Sequence, residues 1–83
     1  MRYRKKKNFL DIIGRRGLSQ KELSRRAGIS VYTLIRTERH RPATAGKVAV
    51  AFAAATGMKT EEAVDLLFDR IDDPKDSPVY AAA

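Results

Sequence analysis

The sequence predicts an all-α fold, a compact five-helix domain with a basic N-terminal arm before it and an extended C-terminal tail after it. Three observations carry this expectation. Apolar residues recur at three- and four-residue spacings from Phe9 to Ile71, and no segment alternates with the period of two that marks a half-buried strand. Ser, Thr, Gly and Pro punctuate these runs where helices start and stop. The chain has 83 residues and 43% hydrophobic content, which suits one small domain that must bury most of its apolar side chains. The domain is expected over residues 8–71, with the arm at 1–7 and the tail at 72–83.

The arm holds Arg2, Arg4, Lys5, Lys6 and Lys7, a charge run too polar to fold alone. Phe9, Ile12 and Ile13 then mark a short amphipathic helix ending near residues 14–17. Ser19 followed by Glu22 is a capping box, flanked by Leu18 and Leu23 as a hydrophobic staple, and opens a second helix that runs to about Ala27. Gly28 stops it, being the residue best able to take the left-handed conformation. Ser30 caps a third helix, with Ile29 and Leu34 as its staple, and Pro42 bounds it. A fourth helix, from about Thr44 to Thr56, carries an inward stripe of Ala45, Val48, Ala49, Phe52, Ala53 and Thr56. Gly57 ends it. Thr60 caps a fifth helix, with Glu61 and Glu62 in the first turn and Val64, Leu67, Phe68 and Ile71 as its apolar stripe. From Asp72 on, with Pro74 and Pro78, the chain is expected to be extended.

Charge is divided along the chain. Residues 1–58 hold 14 Lys/Arg against three acids, a balance of +11, and residues 59–83 hold three bases against seven acids, a balance of −4. A polarised basic surface is the footprint of a polyanion partner, and nucleic acid is the commonest; a merely solvated charged surface is the plain alternative. Without cysteine there is neither disulfide nor thiolate metal site, and the single histidine, His40, has no second strong ligand nearby, so no metal or cofactor is expected. The acids cluster at the C-terminal end as a solvated face, and His40 has no evident nucleophile or orienting group, so an enzyme is not expected. The apolar run after the basic start is short and broken by Asp11, and no segment approaches a membrane span; a cytoplasmic protein is expected.

Two helices fixed across the tight turn at Gly28 form a helix-turn-helix, in which the first helix braces the second for entry into a DNA major groove. The run Gln20, Leu23, Ala27, Gly28, Ile29, Ser30, Leu34 and Glu38, followed by Pro42, resembles the helix-turn-helix of the phage repressor and Cro family, the XRE type. The similarity extends through the ATGM and EEAVDLL segments and covers roughly residues 8–68. It implies a lambda-repressor-like domain. Ser24, Thr37 and His40 depart from the alanine, apolar residue and glycine usual in that family. The arginine that often pairs with the family's glutamate is replaced by Ile13, which leaves Glu38 to Arg41, to another base or to solvent.

With Leu34 set inward and about 100° per residue, Thr37 also faces in, Tyr32, Arg36 and Arg39 face away, and Val31 and Ile35 lie at the flanks. The resemblance implies base reading by Val31, Tyr32 and Arg36. Arg36 can donate two hydrogen bonds to guanine, and apolar atoms of Val31, Tyr32 or Ile35 can meet a thymine methyl. The plain alternatives are a solvated or phosphate-bound Arg36 and an Ile35 buried against a neighbouring helix or a dimer partner. Gln20 resembles the family's phosphate-binding glutamine, and Ser30, Arg39, His40, Arg41 and Thr44 are further candidates for phosphate contact, with His40 read mainly as a surface loop residue. The arm can follow phosphates, enter a groove or serve as a solubilising tail.

The expected function is a sequence-specific double-stranded DNA-binding transcriptional regulator of a phage, plasmid or other mobile element. The alternatives are an antitoxin that binds a protein partner and represses its own promoter, and a protein-interaction domain without specific DNA contacts. One recognition helix reads few base pairs, so a homodimer on a pseudo-palindromic operator is expected, with Val64, Leu67, Phe68, Ile71, Val79 and Tyr80 at its interface.

Overall fold

The computed structural model describes residues 2–71. All five helices form, and three short strands that the periodicity does not predict join them, so the chain is mostly helical and not purely α. In order, the elements are β1 (Arg2–Lys5), α1 (Phe9–Arg15), α2 (Gln20–Ala27), α3 (Val31–Arg36), β2 (Arg39–His40), α4 (Pro42–Thr56), α5 (Thr60–Leu67) and β3 (Phe68–Ile71). The strands form one antiparallel sheet in the order β2-β1-β3.

Helix α2 starts as its sequence requires, with the Ser19 hydroxyl accepting the Glu22 N–H at 3.0 Å. The second half of the expected capping box is replaced: the Glu22 carboxylate takes Arg25 at 2.7 Å and Arg26 at 2.9 Å, one turn further on. Gly28 ends α2 at φ 72°, a left-handed conformation in which a side chain would be strained. The Ser30 hydroxyl then accepts the Thr33 N–H at 3.0 Å and opens α3. Ser24 is buried and satisfied, its hydroxyl donating to the Gln20 carbonyl at 2.6 Å.

Helix α4 starts earlier than Thr44. Arg41 is its N-cap and Pro42 its first residue, where the missing N–H costs nothing and the fixed φ fits the first turn. Its expected stripe from Ala45 to Ala53 is buried around a fully enclosed Phe52, while Thr56 is half-buried and donates to the Phe52 carbonyl at 2.8 Å. Ala51 is buried as well, because α4 packs against both α2 and α5. Helix α5 has Lys59, not Thr60, as its N-cap.

The larger departures are at the two ends of the described chain. Residues 2–5 are not a flexible arm but the central strand of the sheet, with Tyr3 opposite His40 on one side and opposite Arg70 on the other. The fifth helix stops at Leu67, and Phe68 turns extended (φ −130°, ψ 153°) to start β3, so the spacing from Val64 to Ile71 spans a helix and a strand. An antiparallel sheet can face water on one side, which is how so basic a strand is accommodated. Tyr3 packs on the core, while Arg4 is exposed opposite Arg39.

Phe68 is the centre of this end of the core. Its ring meets Tyr3 at 6.4 Å, Phe9 at 6.0 Å and His40 at 5.9 Å, within the range of favourable aromatic pairs. Leu67 is fully buried and Phe68 is 3% exposed. Neither is available to a second copy, which corrects their assignment to a dimer interface. Ala63 lies on the same buried face, while Val64 and Ile71 are half-buried. Val79 and Tyr80 lie outside the described residues. His40 is not a surface loop residue either: it is 2% exposed, and its Nε2 atom has no hydrogen-bond partner.

Two outcomes follow for stability. Phe68→Ala is expected to cost about 3–5 kcal/mol in urea unfolding, far more than Val64→Ala; equal effects would place Phe68 outside the core. The second concerns pH. Burial, then the charge of Lys5, hold the His40 imidazole below its ordinary pKa of 6.5 against a hydrogen bond with the Thr37 backbone. The unfolded chain therefore takes up the proton more readily, so stability is full above about pH 6.5 and falls as the pH drops below it toward the folded value. The urea midpoint should decline between pH 7.5 and 5.5 in the wild type and flatten in His40→Gln; the same decline in both would assign it to other groups.

Candidate nucleic-acid interface

Helix α3 is short, and its only buried residue is Leu34. The rest of its surface is open. Tyr32 is 67% exposed, Ile35 48% and Val31 39%, three of the large apolar side chains that the described residues leave exposed. Single exposed apolar residues are ordinary, whereas several together on one six-residue helix form a patch. Burial of Ile35 against another helix of the same chain is thereby excluded. Arg36 is also exposed, and its guanidinium lies 5.3 Å from the centre of the Tyr32 ring one turn earlier. This cation–π contact holds the arginine on the outward face with its donors free to project.

The face adjoins a basic cleft of about 300 Å³, lined by Lys5, Lys6, Lys7, Phe9, Leu10, Gln20, Ile35 and Glu38. The start of α2, the end of α3 and the end of β1 therefore meet at one place. Gln20 is half-buried there, in the first turn of α2, where free backbone N–H groups favour an anion. A second concavity, lined by Arg4, Lys5, Lys7, Glu38 and Asp69, carries the basic surface on toward the sheet. Arg39 and Arg41 are exposed around β2, and Thr44 is half-buried in the first turn of α4. Ser30 is exposed, but its hydroxyl also donates to Thr33 Oγ1 at 2.8 Å, so capping engages it on both sides. The inward-facing His40 is the one phosphate candidate that this arrangement removes.

Several ion pairs lie away from this face. Arg15 meets Asp11 at 2.9 Å, and Arg25 and Arg26 share Glu22, whose carboxyl they hold below its ordinary range. Among the described residues Lys6, Lys7, Arg36 and Arg41 form no such pair. The bases nearest the α3 face are thus the ones with charge to offer an external anion.

Lys5 is different. Its ammonium donates to the Leu34 carbonyl at 2.5 Å and the Ile35 carbonyl at 3.2 Å, and it lies 5.5 Å from the Phe9 ring centre. Burial lowers its pKa, and the Glu38 carboxylate opposes that shift. The base that Glu38 supports is therefore Lys5, not Arg41. A run of five basic residues among six gives no sign of which one turns inward, because the alternation becomes readable only once the segment is known to be a strand. Leu10, 55% exposed beside the cleft, was also missed; its signal is that the stripe Phe9, Ile12, Ile13 leaves it outside.

No group of three or more His, Cys, Asp or Glu side chains among the described residues is placed to hold a metal ion. None of their helices is long and apolar enough to cross a membrane. Comparison with protein-family models, with curated proteins and with solved structures finds no match to this chain.

Proposed function

We propose that this chain binds double-stranded DNA sequence-specifically through α3 and acts as a transcriptional regulator, of the kind carried by phages, plasmids and other mobile elements. The observation that carries this is the outward set Val31, Tyr32, Ile35 and Arg36 beside the basic cleft. A face with an arginine fork, a phenol and apolar groups suits base edges, and unpaired lysines next to it suit the flanking phosphates. The α2–Gly28–α3 geometry supports a helix-turn-helix of the lambda-repressor-like type, with α2 as the brace. In this reading Gln20, Arg39, Arg41 and Thr44 position the backbone of the duplex, and Arg4, Lys6 and Lys7 extend that contact from the sheet.

A single α3 reads too few base pairs for useful specificity, so the protein acts as a twofold pair on half-sites about 10 bp apart. Selection of bound sequences from a random duplex pool tests both statements at once: an enriched pseudo-palindrome supports them, an enriched single half-site removes the pair, and no enrichment removes specific binding. On the selected site, Arg36→Ala is expected to relax preference at one base pair by about 1–3 kcal/mol with unchanged helical content. Equal loss on selected and random duplexes would put Arg36 on phosphate.

A further inference from the structure

Helix α3 has few means of holding its orientation. Six residues cannot sustain a helix alone, and Leu34 is the one side chain that anchors it in the core. Its start is fixed by the Ser30 cap. At its end the last carbonyls of a helix lack intrahelical partners; here Thr37 N–H takes that of Thr33 at 3.1 Å, and the next two, of Leu34 and Ile35, receive the Lys5 ammonium.

Lys5 is itself well fixed. It ends β1, its backbone N–H donates to the Glu38 carbonyl at 3.0 Å, and the following N–H, of Lys6, donates to the Leu67 carbonyl at 3.0 Å. The side chain crosses from the central strand to a helix 29 residues later in sequence. A cation at a helix C-terminus also meets the negative end of the dipole. An ammonium has three N–H donors, and two of them point at carbonyls, which leaves Lys5 poorly placed to grip a phosphate as its neighbours can.

We propose that Lys5 is a positioning residue: through the Leu34 and Ile35 carbonyls it locks the last turn of α3 to the sheet, and so sets the angle at which Tyr32, Ile35 and Arg36 are presented. This rests on the DNA reading for its consequence in binding, but not for the contact. The basic segment accordingly divides into two kinds of lysine. Lys5 governs how well one sequence is told from another, and Lys6 and Lys7 govern how tightly any duplex is held.

The test compares Lys5→Met, Lys5→Arg and Lys6→Met with the wild type. In the DNA-free protein, Lys5→Met should move the carbonyl carbon resonances of Leu34 and Ile35 and speed hydrogen exchange of the Leu34 and Thr37 amides by about tenfold, the scale of one charge-assisted hydrogen bond. With duplex, the ratio of selected-site to random affinity should fall by a similar factor, while the salt dependence of binding to random duplex stays that of the wild type. Lys5→Arg, which keeps charge and donors, should recover part of the ratio. Lys6→Met should lower the salt slope by about 0.9 for each phosphate that Lys6 no longer neutralises and leave the ratio alone. A reduced slope with an intact ratio for Lys5→Met, or unmoved carbonyl resonances, would overturn the proposal. Should Lys5→Met fail to fold, the wild-type ammonium signals decide: slow proton exchange at Lys5 against fast exchange at Lys6 and Lys7 supports the contact, and equal exchange refutes it. A wild type that discriminates no duplex would remove the DNA reading, and the free-protein measurements would still judge whether Lys5 holds α3.

Discussion

The pairing of β1 with both β2 and β3 is the constraint on which the rest of the molecule depends. One short strand at the start of the chain receives the exit of α3 on one edge and the end of α5 on the other. Phe68, carried in on the second edge, supplies the apolar surface against which Tyr3, Phe9 and His40 close. Without this strand the last turn of α3 would keep the Thr37 N–H bond to the Thr33 carbonyl but lose the Lys5 contacts to the Leu34 and Ile35 carbonyls. The orientation of the exposed α3 face is therefore a property of the sheet as much as of the helix pair.

The helices were legible in the sequence because each carries its own signals. Ser19, Gly28, Ser30 and Gly57 act within a few residues of themselves, and the inward stripe of α4 needs only the helical period to be seen. The sheet was not legible, since its strands are two to four residues long and lie far apart in the chain. In β1 the single aromatic Tyr3 sits among bases, which reads as a solvated run. In β3 Phe68 and Ile71 continue the spacing of Val64 and Leu67, so a helix stripe and a strand look alike; only the partner strand decides between them. His40 followed from the same omission: without a sheet to pack on, a histidine between two arginines reads as surface.

The outward face of α3 was readable because rotation about a helix axis is fixed once one buried residue is known. Leu34 supplied that reference, and the outward Tyr32 and Arg36 follow from it; Ile35, placed at a flank with burial left open, is shown exposed only by the structure. What could not be read was the support behind the face. A long-range contact such as Lys5 to the Leu34 carbonyl joins residues with no local relation, and its chemistry, a lysine on backbone oxygen, leaves no pattern in side-chain types.

The sheet also limits how two copies can meet. Among the described residues β2 and β3 are its edges, and Pro42, two residues beyond His40, removes a donor beside the first. A twofold axis between antiparallel strands runs normal to the sheet and keeps each residue on its own face, so the paired residue numbers must sum to an even value. For β3 a pairing that engages more than one of its residues sets Asp69 against its own copy, or Arg70 against its own copy, and like charges directly opposite each other are destabilising. Extension of the sheet is thus disfavoured as a route to self-association, with Leu67 and Phe68 already consumed by the core. Under the proposed DNA reading a twofold pair would instead be built from side chains, and of the set expected at its interface the half-buried Val64 and Ile71 are the described residues that the core leaves partly open.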